Sequence, residues 1–154
     1  MTAPFDPRLY DQICFACGDR NTAGLHLHFD REGTDGVVCT YAPKESDQGF
    51  PGVLHGGIVA ALLDESMAWA MWAADRALGV TAKMETRYRR RVGLDGPLTV
   101  HGRVVRTRGR RIEVEASVDA ADGARLAEAE ALFMRLPSDD EARMAAALGW
   151  DVVP

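Results

Sequence analysis

Two adjacent carboxylates, Asp64 and Glu65, stand inside an apolar run that opens with His55-Gly56-Gly57. From Gly56 to Ala74 the only other polar residue is Ser66, so the run reads as the core material of a helix. A carboxylate placed there is costly to bury unless it is paired or used. The two glycines let bare backbone N–H groups face outward at the helix start, which suits a bound anion or a developing oxyanion. One segment thus offers an end that polarises an electrophile and a group that attacks or moves a proton. That combination points to chemistry at an acyl carbon.

The spacing adds a constraint. Asp64 follows Gly56 by eight residues, an advance of about 12 Å that leaves the two about 80° apart around the helix axis. A carbonyl held at the glycine end is beyond easy reach of that carboxylate in one chain. Antiparallel helices related by a two-fold axis set Asp64 of one copy beside Gly56 of the other, so the spacing predicts a dimer with shared sites. Glu65 is turned about 100° from Asp64. It is expected to pair with an arginine or to support the site from behind.

The elements that hold these residues follow from length and pattern. The 154 residues, 47% apolar and 27% charged, suit one globular domain over 1–154. The longest uninterrupted apolar run, Met67 to Ala74, is too short for a membrane span. No basic-then-apolar leader is visible, and three cysteines make no disulfide framework, so cytoplasmic residence is expected. Between Lys83 and Arg111, ten basic residues face only Glu85 and Asp95, on a chain of net charge −5. With Tyr88 the lone aromatic there, this patch suits a phosphorylated small ligand rather than nucleic acid, or else solvated strand faces.

Residues 1–24 form an expected irregular lead-in. Leu25–Phe29 and Gly36–Tyr41 are predicted strands, and Pro43–Gly52 a loop. The long helix runs from Gly56 to about Leu78, closed by Gly79. Beyond it the period becomes two, over 81–92, 98–107 and 112–118. Asp122-Gly123 then turns the chain into 125–136, where helical composition conflicts with the alternation of Ala127, Ala129, Ala131 and Phe133. The alternation decides for strand. Ser138 with Glu141 forms a capping box for a short helix over 138–149. The plan is α+β.

Gly52-Val53-Leu54-His55-Gly56-Gly57, followed by Asp64, resembles the signature of hotdog-fold acyl-CoA thioesterases of the phenylacetate-degradation (PaaI) type. Thr81-Ala82-Lys83-Met84-Glu85-Thr86-Arg87-Tyr88-Arg89-Arg90 resembles that family's following strand, and Cys14-Phe15-Ala16-Cys17-Gly18 through Gly24-Leu25 the lead-in of one subgroup. The resemblance implies one long central helix wrapped by a curved antiparallel sheet of five to six strands. It implies that Gly56 N–H polarises a thioester carbonyl and that Asp64 serves as nucleophile or as general base for water. Thr81 would orient water or the carboxylate, and His55 would shape the loop or assist carbonyl binding. Many relatives carry Asn or Gln six residues before the histidine. Here that position is Gly49, so either Gln48 reaches in or the contact is missing.

The substrate implied is an acyl-CoA. The expected assembly is a homodimer or a dimer of dimers, with no nucleic-acid or membrane partner. Because thiolate leaves readily, no metal or organic cofactor is expected, CoA being part of the substrate. Arg89, Arg90 and Arg108 are candidates for the CoA phosphates. Two rivals stand beside this reading: a non-catalytic acyl-CoA-binding hotdog module and a hotdog dehydratase. The latter pairs Asp with a nearby histidine, whereas His55 lies at the wrong end of the helix. Cys14-x-x-Cys17 invites a zinc or redox role. Only His26 and His28 lie nearby, without ligand spacing, and the pair does not open a helix, so a structural turn is expected. Trp69 and Trp72 read as core or interface packing that could also wall an acyl pocket.

Overall fold

Period-two alternation after residue 79 becomes four long strands. The computed structural model, which describes residues 2–154, joins them with three shorter strands in one antiparallel sheet. The strands are β1 (Thr2–Pro4), β2 (Asp30–Glu32), β3 (Gly36–Tyr41), β4 (Gly79–Tyr88), β5 (Leu98–Arg108), β6 (Arg111–Asp119) and β7 (Arg125–Arg135). Their spatial order is β1-β2-β3-β5-β6-β7-β4, which leaves β4 at one edge. Two helices, α1 (Gly56–Asp75) and α2 (Ser138–Leu148), complete the chain. The sheet holds seven strands rather than five or six, because the lead-in and residues 30–32 add β1 and β2. A long helix wrapped by an antiparallel sheet is the hotdog fold.

Inward-facing Val37, Cys39, Val100, Ile112, Val114, Val118 and Phe133 bury against Leu62, Leu63 and Met67 of α1. Each such large side chain contributes about 1.5–3 kcal/mol by leaving water. At Gly102 the helix comes closer still: a Cβ there would lie 2.3 Å from the Ser66 carbonyl oxygen, so β5 meets the helix with bare backbone. The opposite face of α1 is roofed by the lead-in and the C-terminal tail. Phe5, Tyr10, Phe29 and Trp150 surround Trp69 with ring centroids between 4.8 and 5.7 Å away. Trp69 and Trp72 are therefore core residues under that roof.

Strand wins over helical propensity in residues 125–135 because β7 is flanked on both sides, by β6 and β4. Its alanines pass under the helix while Glu128 and Glu130 face outward. Other expectations are corrected. Leu25–Phe29 alternates between buried and exposed but belongs to no strand. Its backbone instead bonds the lead-in, Leu25 N–H to Phe15 O and Leu27 N–H to Ala16 O. Helix α1 ends at Asp75 because Arg76, not Gly79, takes the left-handed cap conformation at φ 49°. Gly79 opens β4, where a Cβ would meet the Met134 carbonyl oxygen at 2.7 Å. Nor does Ser138 cap α2. Pro137 holds the cap position, and Glu141 bonds Leu78 N–H and Arg135.

Candidate active site

The loop before α1 is held at several points. Buried Asp47 accepts hydrogen bonds from the Tyr41 hydroxyl and from Lys44 N–H, and its own carbonyl accepts His55 N–H. His55 is the N-cap, its Nδ1 accepting Gly57 N–H at 2.8 Å. That bond leaves the ring proton on Nε2. The Gly56 N–H donates to no group among the described residues, and on the other side of this glycine Tyr88 Oη donates to Gly56 O at 2.7 Å. Gln48 is exposed, and its Oε1 accepts Gly52 N–H at 3.2 Å, bracing the turn. It is Gly49 that faces the histidine: a Cβ there would stand 3.4 Å from the His55 ring.

Asp64 lies half-buried on α1, and its Oδ1 accepts from Thr81 Oγ1 at 2.6 Å. A bulge between Thr81 and Lys83 re-aims the start of β4 at that point. The second carboxylate oxygen has no hydrogen-bond partner among the described residues. Around Asp64, the incompletely buried positions of α1 form a stripe of small residues: Gly57, Ala60, Ala61 and Ala68. Glu65 points the other way, beneath the roof. Burial pushes its carboxyl up to about 7. Instead of the expected arginine it meets Trp69 Nε1 at 3.1 Å and Cys14 Sγ at 3.8 Å.

The arginines divide. On the outer face of the sheet Arg103 pairs with Glu115, Arg106 with Glu113, and Arg89 with Glu128 at 2.5 Å. Three arginines of the basic stretch are thus paired with acids that follow it in sequence. Arg89 is committed to Glu128. Arg108 sits in the β5–β6 hairpin, opposite Arg111, whereas Tyr88 is level with Ala127 and Val118 near the other end of the strands. That separation, on the order of 25 Å along the strands, removes Arg108 from any ligand that Arg89 or Arg90 of the same chain holds. Arg90 and Arg91 form no ion pair among the described residues and follow Tyr88 and Arg89 in the chain. Val92 O then accepts Leu54 N–H, so this segment runs beside the loop that opens α1. Tyr88, which holds Gly56 O, was not among the residues expected at the site, although it lies in the basic stretch and in the strand that resembles the family's.

Two shallow grooves, of about 470 and 460 Å³, lie on the outer sheet face. They are lined by charged residues such as Glu85, Glu115 and Glu130, and neither is lined by Gly56, Asp64 or Thr81. The carboxylate and the free amide instead face outward along the helix, at a surface one chain leaves open.

Fold and site together define a hotdog protein with an acid on its central helix. Residues 51–127 match the sequence profile of the thioesterase superfamily, and the chain belongs to that family. It is similar to the acyl-coenzyme A thioesterase THEM4 of Rattus norvegicus, 28% identical over 104 residues, covering 67% of this chain and 44% of that protein. The Bos taurus THEM4 is 26% identical over 133 residues, covering 85% and 54%. The chain spans about half the length of these curated relatives. Among solved structures, a thioesterase superfamily protein superposes with TM-score 0.73 at 30% identity, covering 81% of this chain and 60% of that one. A hypothetical thioesterase of Streptococcus pneumoniae, solved with coenzyme A, shares the fold at TM-score 0.67 and 20% identity, covering 71% and 85%. No helix of the described residues is long and apolar enough to cross a membrane.

Proposed function

We propose that this chain is a cytoplasmic acyl-CoA thioesterase of the phenylacetate-degradation type, a single hotdog domain that works as a homodimer or a dimer of dimers. The observation that carries the reading is the Thr81–Asp64 hydrogen bond at 2.6 Å, in an outward-facing stripe of small residues about 12 Å along the helix from an uncommitted Gly56 N–H. Small side chains let a second α1 approach closely, and an antiparallel approach brings Asp64 of one copy to Gly56 of the other. There the thioester carbonyl accepts the Gly56 N–H, which stabilises the oxyanion as it forms. Thr81 holds one oxygen of Asp64. The other oxygen either takes a proton from an attacking water or attacks the carbonyl itself to give an anhydride that water then opens. The C–S bond breaks, CoA leaves as thiolate, and the acid is released, with no cofactor in the scheme.

Support for CoA recognition comes from Arg90, uncommitted and beside the loop that opens α1. Gln48 supplies an amide Nε2 at the same loop, and His55 an Nε2–H donor. Because His55 Nδ1 is engaged by the cap, His55 acts here by shaping the loop and does not stand as the base of a dehydratase. The deciding experiment is thiol release across a panel of acyl-CoAs by wild type and Asp64→Asn. We expect turnover to fall by about two orders of magnitude or more in the variant, with its thermal midpoint held. Near-wild-type turnover in Asp64→Asn removes Asp64 from the mechanism, and enoyl thioester in place of free CoA would make the protein a dehydratase.

A further inference from the structure

The Cys14-x-x-Cys17 turn gains a third partner that its own spacing does not reveal. Glu65, 51 residues from Cys14 in sequence, brings Oε1 to 3.8 Å from Cys14 Sγ. The two sulfurs and a Glu65 carboxylate oxygen all lie within 4.8 Å of one another. A tetrahedral zinc-like ion bound at about 2.3 Å by sulfur and about 2.0–2.2 Å by oxygen spaces its ligands about 3.5–3.8 Å apart. The cluster is therefore near ligand spacing before any ion arrives.

The surroundings are those of anionic ligands. The turn closes with Gly18 N–H on Cys14 O at 2.9 Å. Only glycine fits at position 18, where a Cβ would stand 2.4 Å from both Cys14 N and Gln12 O. Buried Gln12 turns its Nε2 to Cys17 Sγ at 3.6 Å, and Trp69 Nε1 donates to the Glu65 carboxylate at 3.1 Å. Cys17 and Glu65 thus each have an N–H donor, the outer-shell support that fixes a metal ligand's orientation. No Lys or Arg among the described residues pairs with Glu65, so a bound cation would meet no competing positive charge there. The turn does not open a helix, the setting in which a dithiol is tuned for redox exchange. Two sulfurs and one carboxylate select a borderline-soft ion over magnesium or calcium.

We propose that Cys14, Cys17 and Glu65 form a binding site for a thiophilic divalent cation of the zinc class, which ties the lead-in to α1 one residue away from Asp64. Three protein donors leave the fourth position of a tetrahedron to water, and half-exposed Cys14 gives the ion its way in. His26 and His28 take no part. Their Nε2 atoms are engaged with Asn21 O and Asp19 Oδ1 at 2.5 and 2.6 Å. The ion's task is positional: it fixes the middle turn of α1, which also carries Asp64.

The test titrates the full chain, reduced and stripped with a chelator, with Co(II) as probe. We expect one Co(II) per chain, with a thiolate-to-cobalt charge-transfer band and the visible absorption of a tetrahedral site, both displaced by Zn(II). Cys17→Ser should lose the band, and Glu65→Gln should weaken binding about tenfold or more. Zn(II) should raise the thermal midpoint of wild type but not of Cys17→Ser. If stripped wild type gives no charge-transfer band at equimolar Co(II), the proposal fails whether or not the variants fold. Unchanged Co(II) affinity in Glu65→Gln also overturns it, as does a Cys14–Cys17 pair that closes to a disulfide with oxidised glutathione while taking up no metal.

Discussion

At the scale of single residues, the two neighbouring carboxylates turn out to serve opposite faces of one helix. Asp64 is aimed outward by a hydroxyl from β4, and Glu65 inward by an indole N–H. A turn of about 100° between successive helical residues makes that division unavoidable, and it was legible before any coordinates. What each carboxylate meets was legible only in part: the resemblance already set Thr81, 17 residues away, to orient water or the carboxylate of Asp64, whereas no pattern announced Cys14, 51 residues from Glu65. Thr81 is expected to act through Asp64. Thr81→Ala should lower kcat about tenfold, in keeping with one lost hydrogen bond to a charged group. Its KM should hardly move, and Thr81→Ser should restore most of the rate. Equal kcat in Thr81→Ala and wild type would leave the hydroxyl without a part in turnover.

At the scale of elements, the strands could be read from the chain because each alternates with one period and one buried face, and the helix because its apolar run is nearly unbroken. Leu25–Phe29 shows where that logic stops. Its alternation correctly separates inside from outside, yet its hydrogen bonds go to the lead-in. Gly102 carried a readable sign, since a glycine inside a strand often marks a close backbone approach. Gly102→Ala should destabilise the fold by about 2–3 kcal/mol or more, because the atom it would strike is helix backbone. Denaturant unfolding measures this, and a loss within error of zero would contradict the packing described. The α2 junction gives a pH signature. Arg135 beside Glu141 holds that carboxyl below its ordinary value of 4.5. The folded state therefore binds the proton less readily than the unfolded chain, and the stability involved is present above that value and lost as pH falls through the lowered one. The thermal midpoint of Glu141→Gln should lie below wild type at neutral pH, with the gap closing below 4.5. A gap independent of pH would assign Glu141 a role without charge.

At the scale of the whole molecule, part of the basic stretch that looked like a ligand patch is taken up in Arg–Glu pairs on the outer face of the sheet. Linear charge counting misses this because the balancing acids lie on β6 and β7, further along the chain. What remains unmatched gathers elsewhere, in an edge strand with Val80 and Tyr88 more than half exposed and in the small-residue stripe of α1. Those are the surfaces a second copy would cover. Specific activity should fall on dilution in step with the dimer fraction followed by analytical ultracentrifugation. Full activity in a demonstrated monomer would sink the shared site.

Strand β4 touches α1 twice, at Thr81 with Asp64 and at Tyr88 with Gly56. Those contacts fall at the two positions to which the proposed mechanism assigns the chemistry. The strand is therefore a fixed-length gauge laid along the helix, antiparallel to it, setting the interval between the two half-sites that one chain would contribute to a pair of shared sites. A slip of the gauge cannot spoil one end and spare the other. Because the same strand is the free edge of the sheet, whatever docks there grips the gauge itself, and assembly and calibration of the site become a single event.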